Sequence, residues 1–231
     1  MKMLAVDASG RSASAAILAD GVLLGESFLG AGYTHSETLL PMIDWLLTHT
    51  RTPIQAVDRF AVTVGPGSFT GLRIGIATVK GLAFPRGVPC VPVSTLEAAA
   101  MNLVDTDGLV CAALDARRKQ VYTALFEIEG GRLARRSADS PLSIDALGDQ
   151  LACWSDRTIR LVGDGAVLVY EALGERMRGL RLSSDALRLP RASSVAAAAL
   201  CHPDEAVPGD RLMPRYLRLS QAERERALHN R

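Results

Sequence analysis

Residues 2–29 read KMLAVDASGRSASAAILADGVLLGESFL. An apolar strand, Lys2–Asp7, ends on a carboxylate and an alanine, Asp7-Ala8. A Ser/Gly turn follows, then a second apolar run, Ala13–Leu18. Asp20-Gly21 is a strong hairpin signal and leads into Val22–Phe28. The same order returns in residues 109–137, LVCAALDARRKQVYTALFEIEGGRLARRS. Leu109–Leu114 ends in Asp115-Ala116, Gln120–Ile128 is a second strand, and Gly130-Gly131 turns into a third over Arg132–Ser137. Identity between the two stretches is weak but the order is shared, which predicts two related lobes. Two unrelated hairpins are the alternative.

Working outward, Thr34 or Ser36 caps a helix running to about Thr50. Val57–Val64 is a β-branched strand, Thr70–Phe84 a helix, Val88–Val93 a strand, and Ser94 caps a helix over Thr95–Leu103. After Pro141 the pattern predicts a helix (Ser143–Ala152), a strand (Thr158–Val162), a Gly163-Asp164-Gly165 turn and a helix (Ala166–Leu173). A short Ala-rich helix covers Ser193–Leu200. Strands alternating with helices define an α/β protein. We divide it into a lobe at 1–103, a second lobe at 104–220 and a polar, arginine-rich tail at 221–231, expected to fray. The helix at 193–201 is a candidate to pack back on the first lobe.

Composition bounds the function. The chain has 231 residues, 48% apolar and 22% charged, enough to bury a core without disulfide or metal staples. No apolar run approaches 18 residues, so no membrane span is expected. The start reaches Asp7 too soon for a signal peptide, and a cytoplasmic location is expected. Basic and acidic residues nearly balance, 26 to 25, which leaves no chain-wide footprint for nucleic acid or anionic lipid. Cys90, Cys111, Cys153 and Cys201 form no Cys-x-x-Cys pair, so reduced, mostly buried thiols and no structural zinc are expected.

Gly65-Pro66-Gly67-Ser68-Phe69-Thr70-Gly71 stands between a strand and a helix. Backbone N–H groups at a helix N-terminus suit an anion, which makes Gly65, Gly67, Ser68 and Thr70 candidates for a nucleotide or anion contact. Yet the loop misses the phosphate-loop, dinucleotide and nucleophile-elbow spacings. A structural turn is the stronger reading. Gly71 and Gly75, four apart, form a small-residue face that would admit another helix closely. The preceding helix carries apolar residues around most of its circumference. Leu39, Ile43 and Leu46 would face the sheet, leaving Leu40, Trp45 and Leu47 to point elsewhere, toward a partner, with a fully intramolecular core helix as the alternative. His35 opens that helix, where a cap or local hydrogen bond is the commoner role. Asp7 with Ser9, Ser12 and Ser14, Asp115 with Arg117 and Arg118, and Gly163-Asp164-Gly165 resemble the turns that surround nucleotide in actin-like ATPases. Ser9 stands where those proteins usually have glycine, which counts against ATP binding in this chain's own cleft.

The run Val62–Gly75, VTVGPGSFTGLRIG, with Lys80-Gly81-Leu82-Ala83 resembles the signature of the TsaB (YeaZ) family. So do His35-Ser36-Glu37 with Leu39-Leu40-Pro41, Val93–Ala98, and Asp115-Ala116-Arg117-Arg118 with Val121-Tyr122 and Phe126. The resemblance covers nearly the whole chain and is specific to about residue 126. It implies an actin-like (ASKHA, ribonuclease H-like) two-lobed fold with mixed sheets. It also implies a non-catalytic, scaffolding role beside a TsaD-like catalytic subunit and a TsaE-like ATPase, in making threonylcarbamoyladenosine on tRNA. TsaD-like proteins carry a His-x-x-x-His metal pair where this chain has Thr95 and Ala99, so no metal is expected. The implied partner surface combines His35, Leu39, Leu40, Ile43, Leu47, Gly71, Arg73 and Gly75, and would close a homodimer in the chain alone. No intrinsic cofactor is expected, a nucleotide at the subunit interface stays open, and tRNA is reached only through the complex. A stand-alone actin-like ATPase or glycoprotease-like hydrolase is the alternative.

Overall fold

The computed structural model describes residues 1–218. The tail expected to fray, 221–231, lies outside the described residues. The first sheet has five strands: β1 (Lys2–Asp7), β2 (Ala13–Ala19), β3 (Val22–Leu29), β4 (Arg59–Gly65) and β5 (Cys90–Ser94), in the order β3-β2-β1-β4-β5. The hairpin pairs are antiparallel, and β1-β4 and β4-β5 are parallel. The second sheet is built from β6 (Gly108–Asp115), β7 (Gln120–Glu129), β8 (Arg132–Arg135), β10 (Ile159–Val162) and β11 (Leu180–Leu182). Its path is β8-β7-β6-β10-β11, with two antiparallel pairs followed by two parallel ones. The two sheets therefore share one topology strand for strand. The third strand expected over Arg132–Ser137 stops at Arg135; Ser140–Ser143 pairs with β7 as a separate strand, β9.

Four helices flank the two sheets in equivalent places. α1 (His35–His49) and α2 (Phe69–Ala83) cover one face of the first sheet, burying Leu39, Ile43, Leu46, Ile76 and Val79 against Leu4, Val6, Ile17 and Val62. α4 (Ile144–Ala152) and α5 (Ala166–Leu173) cover the second sheet with Leu147, Leu151, Val169 and Leu173. Each fully buried Leu, Ile or Val contributes about 1.5–3 kcal/mol before entropy is counted. Serine caps set two of these helices and the one that follows β5: Ser68 accepts from Gly71 N–H at 3.2 Å, Ser143 from Ala146 N–H at 3.1 Å and Ser94 from Glu97 N–H at 3.4 Å.

The remaining two long segments exchange lobes. α3 (Thr95–Met101) follows the first sheet but packs Leu96, Ala99 and Ala100 against β6 and β7 of the second. α7 (Ala192–Cys201) follows the second sheet but packs Val195, Ala196 and Ala199 on the first. Alanines let the two helices lie close between the sheets. Glu26 on β3 holds α7 from the far lobe: its Oε1 accepts from Ser193 N–H at 2.9 Å and its Oε2 from the Arg191 guanidinium at 2.9 Å. A short helix, α6 (Asp185–Arg188), precedes α7. Two cysteines, Cys90 and Cys111, are buried with thiols pushed up to about 11 by burial; Cys153 and Cys201 are exposed, against the expectation of mostly buried thiols. No helix among the described residues is long and apolar enough to cross a membrane.

Candidate functional site

Three turns from different ends of the chain converge on one cleft of about 1030 Å³. The β1–β2 turn contributes Ser9, Gly10 and Arg11, the β6–β7 turn Asp115, Ala116 and Arg117, and the turn after β10 Asp164. Asp164 ties two of them together: its Oδ1 accepts from Asp115 N–H at 2.9 Å. Its Oδ2 lies 3.8 Å from where a Cβ on Gly10 would stand, so the lobes approach closely there. Burial pushes the Asp164 carboxyl above its ordinary range.

Asp7 sits at the floor of the same turn and is wholly buried. Its Oδ1 accepts from Ser9 Oγ at 2.6 Å, Thr63 Oγ1 at 2.7 Å and Ser9 N–H at 3.2 Å. Its Oδ2 has no partner among the described residues, nor do the hydroxyls of Ser12 and Ser14. Burial pushes this carboxyl up as well, against the lowering pull of Ser9 and Thr63. Asp7 therefore organises the turn and does not reach the cleft.

The glycine loop is stitched onto that turn. Ser68 N–H donates to the Ser9 carbonyl at 2.7 Å. A Cβ on Gly67 (φ 158°) would stand 2.3 Å from the same oxygen, and one on Gly71 would stand 2.1 Å from the Ala8 carbonyl. Only glycine permits this approach. Of the four anion candidates, Ser68 has its N–H on Ser9 and its side chain in the cap, and Gly65 is covered by the Arg215 carbonyl, 2.4 Å from its missing Cβ. Thr70 is exposed. The loop packs the start of α2 onto the β1–β2 turn.

The β6–β7 turn holds Arg117, Arg118 and Lys119 in succession at φ 64°, 55° and 56°. Left-handed backbone costs a side-chain-bearing residue about 1–2 kcal/mol, so three in a row with long cationic side chains are strained. Arg117 N–H donates to Asp115 Oδ1 at 2.7 Å, which fixes the start of the turn.

A segment assigned from sequence to the second lobe, 104–220, but anchored on the first by Val207, Leu212 and Arg215 closes one side of the cleft. Residues 206–218 cross from the first lobe to the second. Val207 pairs with Cys90, Leu212 is buried, and Arg215 N–H donates to the Val64 carbonyl at 2.7 Å. Tyr216 stacks on Phe69 at 4.4 Å, and Arg218 donates to the Ala116 carbonyl at 3.1 Å and to Gln120. These contacts are non-local and carry no periodicity, so nothing in the sequence signalled them.

The expected partner residues separate into two groups. Leu39 and Ile43 are 1% and 2% exposed and belong to the chain's own core, so they cannot also face a partner. Gly71 and Gly75 are buried against Ala8, with Val62 behind Gly75. Their missing side chains admit the chain's own β1–β2 turn, and at Gly71 also the start of α1, where a Cβ would stand 3.1 Å from His35 Cδ2; the close approach read from their spacing is made within the chain. His35 Nε2 donates to the Gly10 carbonyl at 2.9 Å, and Arg73 lies over the Phe69 ring at 3.9 Å and donates to Tyr216 Oη at 2.9 Å. Leu47 is half-buried. What remains outward on α1 is Leu40, 53% exposed, and Trp45, 51% exposed.

The two positions held by Thr95 and Ala99 also have a definite environment. Thr95 and Ala99 are wholly buried on α3, Ala99 against the second sheet, and Thr95 Oγ1 has no partner among the described residues. One hydroxyl and one methyl do not make a divalent-metal site. Among the described residues no three His, Cys, Asp or Glu side chains converge elsewhere.

Two lobes of one topology, joined by exchanged helices around a cleft, define an actin-like protein. A hexokinase of the ROK class from Thermus thermophilus shares that fold, with a TM-score of 0.50 at 14% identity over 87% of this chain and all of that one. The chain belongs to the TsaB family. It is 32% identical to the tRNA threonylcarbamoyladenosine biosynthesis protein TsaB of Bacillus subtilis over 231 residues, 96% of each chain. YeaZ from Pseudomonas aeruginosa superposes with a TM-score of 0.76 at 28% identity, covering 94% of this chain and 99% of that one. Residues 30–154 match the family model of TsaD, tRNA N6-adenosine threonylcarbamoyltransferase.

Proposed function

We propose that the chain works in tRNA threonylcarbamoyladenosine biosynthesis as a non-catalytic subunit that binds and supports a TsaD-like catalytic subunit. Its family supports the pathway, through the name of the Bacillus subtilis relative. The observation that carries the non-catalytic part is the pair Thr95 and Ala99, which offers one hydroxyl where a related catalyst needs two imidazoles. Two amides at the cleft, those of Ser68 and Asp115, already have acceptors in the Ser9 carbonyl and the Asp164 carboxylate, which supports the same reading.

The partner surface in this reading is the outward side of α1, carried by Leu40 and Trp45 with half-buried Leu47 beside them. A TsaE-like ATPase joins the assembly, a nucleotide has room at the subunit contact, and tRNA is brought by the complex. Alone, the chain covers the α1 face with a second copy. Co-purification with the TsaD-like protein tests the reading: wild type is expected to form a complex and Leu40→Asp to lose it. Failure of wild type to bind under any nucleotide condition, with ATP turnover by the isolated chain, would favour the stand-alone ATPase instead.

A further inference from the structure

We propose that the Arg117-Arg118-Lys119 turn and the cleft rim around it grip the phosphate backbone of RNA, so that this chain itself touches tRNA inside its complex. The proposal rests on the subunit reading above and adds a surface to it. The three turn residues are exposed and cationic, and all occupy left-handed backbone that glycine or asparagine would hold with less strain. Arg218 is drawn to the same turn by the Ala116 carbonyl and Gln120, and Arg11 and Arg215 line the cleft beside it.

Charge is concentrated there. Those six cations meet two facing carboxylates, Asp115 and Asp164, since Asp185 is bound to Arg188. Asp115 pairs with Arg117 at 3.6 Å. In a chain of net charge +1, this rim is a local positive surface that the overall balance conceals.

The arrangement favours a string of phosphates over one. A single polyphosphate needs converging amides or a buried cation, and the nearby amides of Ser68 and Asp115 already have acceptors. Long, solvated cations spaced along a turn suit repeated charges. Tyr122 and Tyr216 also line the cleft and offer aromatic faces to unpaired bases.

The test compares tRNA binding by the chain with its catalytic subunit, wild type against Arg117→Asn/Arg118→Asn/Lys119→Gly. A second variant, Arg117→Gln/Arg118→Gln/Lys119→Gln, removes the charge with side chains of similar length. Arg132→Gln/Arg176→Gln/Arg178→Gln removes as much charge away from the cleft. The turn variants are expected to weaken tRNA binding about tenfold and to lower the log–log salt slope by about 2, near 0.7 per single-strand phosphate contact. The distant variant should do neither. Equal affinity and slope in wild type and both turn variants would overturn the proposal. So would tight tripolyphosphate binding that the turn variants abolish while tRNA binding stays unchanged. Assembly is read separately by size exclusion. A chain that never joins the catalytic subunit counts against the subunit reading; the tRNA comparison, run on the chain alone, then still decides the rim.

Discussion

Tyr216 lies flat on Phe69, ring centroids 4.4 Å apart and planes 21° from parallel, with the Arg73 guanidinium over the other ring at 3.9 Å. This cluster, with Arg73 also donating to Tyr216 Oη at 2.9 Å, pins the segment 206–218 to the N-terminus of α2, beside the cleft. An aromatic pair of this kind is worth about 0.5–1.5 kcal/mol beyond area burial. Tyr216→Ala should therefore cost about 1 kcal/mol in urea unfolding. Amide exchange in residues 206–218 should rise with little change in the sheets. Unchanged protection of that segment would show that Leu212 and Arg215 hold it alone.

Adjacent leucines on α1 have opposite surroundings. Leu39 is buried against the first sheet and Leu40 is 53% exposed. Leu39→Asp buries a charge without a partner and should destabilise by about 3 kcal/mol or more. Leu40→Asp should stay within about 0.5 kcal/mol of wild type. Thermal unfolding of the two variants checks this. A Leu40→Asp variant that unfolds like Leu39→Asp would mean that Leu40 is part of the chain's own core.

The glycines of α2 divide in the same way. A Cβ on Gly71 would stand 2.1 Å from the Ala8 carbonyl, whereas one on Gly81 meets nothing within 4 Å. Gly71→Ala should displace the glycine loop from the β1–β2 turn and cost about 1–3 kcal/mol. Gly81→Ala should stabilise by up to about 1 kcal/mol through helix propensity. Opposite shifts in Tm are the expected result, and equal shifts would contradict the packing described for Gly71.

Asp7 gives a pH dependence with a definite sign. Burial raises its carboxyl pKa in the folded state. The folded chain thus holds the proton more tightly than the unfolded chain. Its contribution is most favourable below the ordinary carboxylate pKa and is lost as pH rises through the raised value. Asp7→Asn keeps an acceptor for Ser9 and Thr63 and removes the charge. It should be more stable than wild type at about pH 7, with the gap narrowing toward about pH 4. Urea unfolding at both pH values measures this. Lower stability of Asp7→Asn at about pH 7 would mean that the turn requires the anion.

The paired hairpins were legible because Asp7-Ala8 and Asp115-Ala116 close strands of similar pattern, each followed by a Gly-centred turn. The inward placement of Leu39, Ile43 and Leu46 followed from helical period alone. The Gly71 and Gly75 spacing carried less: it marked a close approach but not which neighbour approaches, and Ala8 proved to be that neighbour. The return of the 193–201 helix to the first lobe was read as a candidate arrangement, though alanines on every side of Ala192–Cys201 leave no apolar stripe to orient it, while the crossing of α3 to the second sheet was hidden. The strap from Ala206 to Arg218 was hidden for another reason. Its anchors, Val64, Phe69 and Gln120, are reached by backbone and by single side chains over long chain separations.

The central claim is that this chain enables the threonylcarbamoylation of tRNA without performing it. The direct measurement is threonylcarbamoyladenosine formed on tRNA, with threonylcarbamoyl donor supplied, by the TsaD-like subunit alone, by this chain alone, and by both with the TsaE-like ATPase. The account predicts product only where both subunits are present, and none from this chain alone. Product from this chain alone, or full activity of the TsaD-like subunit without it, would contradict the account.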